Sequence, residues 1–446
     1  MARGRALTAA ALAGVLCDGL SSESGVSWLT VPQRDARRSR TTSASASVSG
    51  DGRYVAFSSY ARLNLADVDS LADIYVLDRT TATVTLESGL VEGRPLNSDC
   101  SQPSISADGR YLVFASVVSD DVDRSVPDIL LRDRVENTTR RITTARGGGL
   151  SNGWSSDPVL NANATAVVFA SAARNLVAEL DVNEAEPDIY RFDISSGAID
   201  RISVDSHGVQ HRGSSVMPSV SGDGRYVAFT STAVLVPPRN GPEPKPTEGR
   251  YPVVYLRDTR TGRTTMVGGA EPPNGGTTMP AISADGHTIA FASRATNLVA
   301  RDRNKSSDIF VYDVDSGGVT LVSRGTSGGT ANGASFNPAI SADGRFVVFQ
   351  SDASDMACGR NCRPGMEDIN LLPDVFIFDR VTGQISCISL DRQGTWMEES
   401  GAPAIDATGA VVAFTSRHPI SAHDTSNDFD LFVRSTSSDR GDSAPR

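Results

Sequence analysis

One phrase recurs along this chain and limits its fold more than any other feature. It reads Ser-Gly-Asp-Gly-Arg-Tyr-Val-Ala-Phe-Ser-Ser at 49–59, Ser-Ala-Asp-Gly-Arg-Tyr-Leu-Val-Phe-Ala-Ser at 106–116 and Ser-Gly-Asp-Gly-Arg-Tyr-Val-Ala-Phe-Thr-Ser at 221–231. Residues 283–293 and 341–351 repeat it, and 161–171 and 406–416 are worn copies that keep only the apolar register. Seven phenylalanines mark that register: Phe57, Phe114, Phe169, Phe229, Phe291, Phe349 and Phe414, each followed two residues later by a serine. The copies stand 55 to 65 residues apart, a period that fits one four-stranded sheet with its loops.

Asp-Gly suits a tight hairpin, because a turn that matches strand twist needs positive φ, which Gly supplies freely and Asp tolerates. Short apolar alternations on either side of each turn read as two strands. A third follows, as in Asp73-Ile-Tyr-Val-Leu-Asp78 and Asp374-Val-Phe-Ile-Phe-Asp379, and a turn such as Arg380-Val-Thr-Gly383 leads into a fourth. Such a sheet has two apolar faces, and packing copies radially buries both. The expectation is an all-β chain: a seven-bladed β-propeller of four-stranded antiparallel blades over 26–434, with turns at 51, 108, 163, 223, 285, 343 and 408. The last copy stops after its third strand, Asp430-Leu-Phe-Val-Arg434, while Val26-Ser-Trp-Leu-Thr-Val31 is a fourth strand without the first three. The N-terminal strand is therefore expected to complete the last blade and close the ring. Residues 435–446 read as a polar, disordered tail.

The phrase followed by Asp-Ile-x-Val-x-Asp resembles the WD40-like repeat of TolB-like propellers in exported bacterial proteins. The resemblance runs from about Val26 to Arg434 and implies a propeller. TolB itself carries an α/β domain ahead of the propeller and prolyl oligopeptidases carry a hydrolase domain, and this sequence shows neither.

Residues 1–25 begin with two arginines and the apolar run Ala6 to Leu16, the layout of an export signal too short to span a bilayer. Cys17 lacks the small residue that a lipid anchor wants before it. The expected location is outside the cytoplasm, secreted or periplasmic, with no membrane span. The net charge of −11, with basic residues scattered, speaks against nucleic acid. In an oxidising compartment Cys358 and Cys362, in Cys-Gly-Arg-Asn-Cys, are expected to form a disulfide.

The loops between second and third strands share an acidic pattern. Asp67 and Asp69 precede Asp73, Asp121 and Asp123 precede Asp128, Asp181 and Asn183 precede Asp188, Asp302 and Asn304 precede Asp308, and Asp424, Ser426 and Asp428 precede Asp430. Oxygens at alternate positions are how calcium loops gather ligands, and the last blade offers the fullest set. The same residues also cap turns through their own backbone, so no cofactor is required. His207 and His211 lie on a loop, where their spacing does not make a metal pair. No Gly-x-Ser-x-Gly elbow occurs and no catalytic residue stands out. The expectation is a non-catalytic, monomeric scaffold whose acidic loop-bearing face binds a protein, peptide or cell-envelope glycan. The alternative is a propeller lyase or glycosidase that uses loop carboxylates.

Overall fold

The structure is a computed structural model and describes residues 29–31, 45–64, 66–67, 69–91, 94–96, 98–118, 126–236, 251–269, 272–300, 302, 304–356, 368, 370–391, 393–419 and 428–436. It is all β among these, with seven four-stranded antiparallel sheets and one small extra hairpin, Leu90–Val91 with Arg94–Pro95. Blade 1 is built from Ala46–Val48, Tyr54–Ser59, Asp73–Asp78 and Thr83–Leu86 in that order. Blades 2 to 6 repeat the order. Each first strand touches the first strands of its neighbours, that of blade 1 meeting Ser400–Ile405 of blade 7, so the first strands surround a central axis.

Blade 7 draws on both ends of the chain. Leu29–Val31 pairs antiparallel with Asp430–Ser435 in the register Leu29 to Val433, Thr30 to Phe432 and Val31 to Leu431. Residues 26–28 of the expected strand lie outside the described residues. The ring closes because the last three strands would otherwise leave an open row of backbone donors and acceptors.

The core is divided among the seven interfaces between blades, with one buried cluster in each. The seven phenylalanines of the repeat are all buried, at 1 % exposure or less. Burying a side chain of this size contributes about 1.5–3 kcal/mol. Six of them lie against an aromatic on the third strand, from Phe414 and Phe432 at 5.7 Å to Phe229 and Tyr255 at 6.1 Å between ring centroids.

Every residue of the phrase has a structural task. In blade 4, Ser221 Oγ donates to Asp223 at 2.6 Å, the same carboxylate accepts the Arg225 N–H at 2.9 Å, and Ser221 Oγ accepts the Tyr226 N–H at 2.9 Å. Arg225 stacks on Tyr226 at 4.5 Å and pairs with Asp258, at the end of the third strand, at 2.7 Å. In the worn copies Asn161 and Asp406 replace the serine, accepting the N–H of Ala166 at 2.8 Å and of Val411 at 2.9 Å. Glycine is required next door. Gly109 has φ +72°, and a Cβ there would come within 2.3 Å of the Tyr54 ring in the neighbouring blade.

The first strands hold a feature that the repeat phrase does not announce. From blade 2 to blade 7 each is bulged at its centre, where Gln102, Asp157, Met217, Met279, Asn337 and Ala402 take positive φ of 48° to 56°. Each of these residues precedes a proline, from Gln102-Pro103 to Ala402-Pro403. The recurrent X-Pro pair was the available signal, since proline cannot donate to a ladder and marks bulges in strands.

Candidate functional site

Two kinds of loop leave each blade on one face: the loop from second to third strand, and the loop that enters the next blade. They meet where each second strand ends beside the start of its own first strand. Asp352 donates its N–H to Ala334 O at 2.8 Å, Arg294 to Gly276 O at 3.0 Å and Arg417 to Glu399 O at 3.0 Å. Ala334, Gly276 and Glu399 immediately precede innermost strands, so these side chains ring the mouth of the central channel on blades 5, 6 and 7. The serines of the repeat fix this arrangement. Ser351 and Ser416 bond Ser335 and Ser400 on the first strand at 2.9 Å, and Ser351 Oγ accepts the Ala353 N–H at 3.1 Å.

The mouth combines acids and bases. Arg417 pairs with Glu399 at 3.0 Å while its guanidinium lies 4.6 Å from the Phe429 ring centroid, so it is held from two sides. Asp352 is exposed, yet partial burial among the surrounding loops and the negative charge of Glu399 raise its pKa above the ordinary 3.8. Arg294, also exposed, stands on the next blade. Sequence reading did not single out this group, because its members occupy a position without a shared residue type. The residue after the repeat serine is Tyr60, Val117, Ala172, Thr232, Arg294, Asp352 or Arg417. This is a position where the repeated scaffold leaves the side chain free to vary.

The acidic loops lie on the same face, further out. Asp67, Asp69 and Asp73 bring ligand oxygens within 4.8 Å of one another, the sole such group of three among the described residues. Burial, opposed by Ser88, lifts Asp73 to about 6. Asp302 and Asp308 come together in blade 5, where burial pushes Asp308 up to about 7 against the Ser323 hydroxyl. Blade 6 adds Asp368, Asn370 and Asp374, a set missed in the sequence because the long insertion before it obscured the Asp-x-Asn-x-x-x-Asp spacing. Burial lifts Asp374 to about 8, with Ser389 pulling the other way. Of the last-blade set, Asp428 and Asp430 are described, and Asp424 and Ser426 lie outside the described residues, as do Asp121 and Asp123, Cys358 and Cys362, and Cys17. Cys100 and Cys387 are buried and free.

The described histidines do not converge. His211 Nε2 bonds Asp205 at 3.0 Å, and His287 pairs with Asp315 at 2.8 Å on the opposite, turn-bearing face. A groove of about 840 Å³ follows the outer strand of blade 3, away from the axis, between Arg146, Leu180, Arg201 and Val209. No helix among the described residues is long and apolar enough to cross a membrane.

The fold defines a seven-bladed β-propeller. No protein-family model matches the chain, and no curated protein matches it. Solved structures do. An oligogalacturonate lyase in complex with manganese is similar at 14% identity over 93% of this chain and 94% of that one, with a TM-score of 0.52. An oligogalacturonate lyase from Vibrio parahaemolyticus is similar at 13% identity over 92% and 97%, with a TM-score of 0.51. A putative TolB from Agrobacterium tumefaciens shares 16% identity over 63% and 80%, with a TM-score of 0.39. The expectation of a non-catalytic binding scaffold is corrected here. Two of the shapes matched along more than 90% of both chains are those of lyases, and they stand with the alternative of a propeller enzyme that uses loop carboxylates rather than with the scaffold.

Proposed function

We propose that this propeller is a polysaccharide lyase acting on a uronate-containing glycan at the mouth of its channel. The observation that carries the reading is the group Asp352, Glu399, Arg417 and Arg294, in which the raised Asp352 carboxyl feels the charge of Glu399, Glu399 pairs with Arg417, and Arg294 holds the equivalent position on the adjacent blade. Eliminative cleavage of a uronate needs both a base and a cation. A base removes the proton at C5, the electron pair forms the C4–C5 double bond, the C4–O bond breaks, and the departing oxygen takes a proton. The step is hard because C5–H is a weak acid, and a cation on the uronate carboxylate stabilises the charge that develops there.

Asp352 is the base in this scheme, its raised pKa bringing it closer to the proton it must accept. Arg294 binds the carboxylate and Arg417, fixed by Glu399 and Phe429, orients the sugar. The manganese of the similar lyase is not carried into this scheme. Among the described residues no three ligands converge at the mouth, and the single group that does converge lies in the blade 1 loop. The apolar N-terminal run supports a place outside the cytoplasm, where such glycans are met.

Incubation of the full chain with polygalacturonate, alginate and neutral glucans tests the reading. The expected result is an unsaturated, ultraviolet-absorbing product from a uronate polymer, lost in Asp352→Asn. New reducing ends without unsaturation would replace elimination by hydrolysis, with Asp352 and Glu399 as the carboxylate pair. Absence of cleavage of every polymer would overturn the proposal.

A further inference from the structure

The seven blades differ in how they compensate the aspartate that opens the third strand, and the differences form an internal control. In blade 2 Asp128 is fully buried and accepts from Thr143 at 2.8 Å and Ser151 at 3.2 Å, while Arg141 pairs with it at 3.2 Å. In blade 3 Asp188 accepts from Ser203 at 2.7 Å and pairs with Arg201 at 3.5 Å. The Gln210 amide bridges Asp188 at 2.6 Å and Asp181 at 3.0 Å. Arg141 and Arg201 occupy the same place, two residues before the Thr or Ser that bonds the aspartate. Blade 4 lacks both partners, with Val253 for the acid and Met266 for the arginine. Acid and base are kept or lost together in these three blades.

Blades 5 and 6 keep the acid and lose the base. The arginine position is Leu321 in one and Cys387 in the other, both buried. Asp308 is 0 % exposed, its Oδ1 accepts from Ser323 at 2.7 Å and its Oδ2 has no hydrogen-bond partner. The oxygens of Asp302 are also buried, with the Asn304 N–H near one of them and no well-formed hydrogen bond to either. In blade 6 Asp374 is 1 % exposed and Asp368 8 %. Ser389 donates to Asp374 Oδ1 at 2.5 Å, and the Oδ2 atoms of Asp374 and Asp368 have no partner. Each blade thus buries two carboxylates close enough to repel each other, and among the described residues, besides these serines, only the Asn304 and Asn370 amides approach Asp308 and Asp374, without a well-formed hydrogen bond to the Oδ2 atoms. Native proteins do not leave such groups uncompensated.

We propose that the loops between second and third strands of blades 5 and 6 each hold one calcium ion, bound by Asp302 and Asp308 in the first and by Asp368 and Asp374 in the second. Two carboxylates balance a dication, and a donor set made of oxygens selects a hard cation. Asn304 and Asn370 occupy the same middle position in the two loops, with their side-chain amides toward Asp308 and Asp374. Their loop shape is already set. Asn304 Oδ1 accepts the Ser306 N–H at 2.9 Å and Asn370 Oδ1 accepts that of Leu372 at 3.0 Å. Blade 1 has the same spacing in Asp67, Asp69 and Asp73 and a leucine, Leu86, at the arginine position. There Tyr75 already donates to Asp67 at 2.5 Å, so the proposal is confined to blades 5 and 6.

The test uses the full chain stripped with EDTA, with calcium chloride as the probe. Calcium is expected to raise Tm and to be retained in equilibrium dialysis. Leu321→Arg supplies in blade 5 the guanidinium that Arg201 supplies in blade 3, so it should remove one bound calcium while keeping the melting temperature of the stripped protein. Asp302→Asn, in a partly exposed loop, should also lose one calcium, and Asp374→Asn one from blade 6. A chain that retains no calcium and melts identically with and without it would overturn the proposal. So would variants that bind as much calcium as the parent. Both readouts are independent of cleavage, so failure of the lyase reading leaves this result standing.

Discussion

The N–H of Ala407 donates to the carbonyl of Gly50 at 3.2 Å, joining the last blade to the first at the turn-bearing end of the channel. It is the closing member of a ring. Gly50 donates to Ala107, Ala107 to Ala162, Asn163 to Gly222, Gly222 to Ala284, Ala284 to Ala342 and Ala342 to Ala407, at 2.8 to 3.3 Å. The second residue of the repeat phrase is therefore Gly or Ala in all seven copies, because neighbouring turns approach too closely for more. A Cβ on Gly50 would lie 3.0 Å from that of Ala107.

This closeness makes Gly52 a sensitive position. Its φ is +70°, and an added Cβ would meet Val411 Cγ2 at 2.6 Å across the closing interface. Gly52→Ala is expected to cost about 1–2 kcal/mol for backbone conformation and about 1–3 kcal/mol more for overpacking. Gly147→Ala, at φ +89° with nothing within 4 Å, should cost the backbone part alone. Urea unfolding of both variants checks the difference.

Deletion of residues 26–31 removes the strand that covers Leu431 to Val433. Three paired residues at roughly 1 kcal/mol per hydrogen bond put the loss near 3 kcal/mol before any loss of burial. The urea midpoint should fall, and the bared edge should make the protein prone to self-association, visible in light scattering.

The Arg225–Asp258 pair carries a pH signature. Arg225 holds the Asp258 carboxyl below its usual 3.8, so the stabilisation is complete above pH 3.8 and is lost as pH falls below it. The Tm difference between the parent and Asp258→Asn should be widest at neutral pH and should narrow under acid. Scanning calorimetry from pH 7 downward measures it.

Cleavage should carry a second signature. Burial first and Glu399 second raise the pKa of Asp352 above 3.8, so activity should climb with pH through that raised value. Glu399→Gln removes the smaller cause and should move the rising limb toward acid, whatever it does to the maximal rate. An unmoved limb would detach Asp352 from the reaction.

The fold was legible because each repeat carries local instructions. Asp-Gly at Asp108 and Gly109 sets a turn, the alternation around Phe114 sets a half-buried strand, and both act over a few residues regardless of the rest of the chain. The unmatched strand before Val31 even pointed to closure. The six bulges were less visible, since Gln102 and its equivalents become strained only when neighbouring first strands crowd around one axis.

The site was legible only as residue types. Asp302, Asn304 and Asp308 announced an oxygen-rich loop, yet that Asp308 lacks an arginine while Asp188 has one depends on residue 321 or 201, on another strand. Asp352 on blade 6 and the Glu399–Arg417 pair on blade 7 share no motif. By itself the sequence determined the blade, its repetition and its turns, because these follow from short-range backbone preference and side-chain periodicity. Only the tertiary structure decided which charges meet at the channel mouth and which buried carboxylates go uncompensated, because both depend on distances that exist only once the ring has closed.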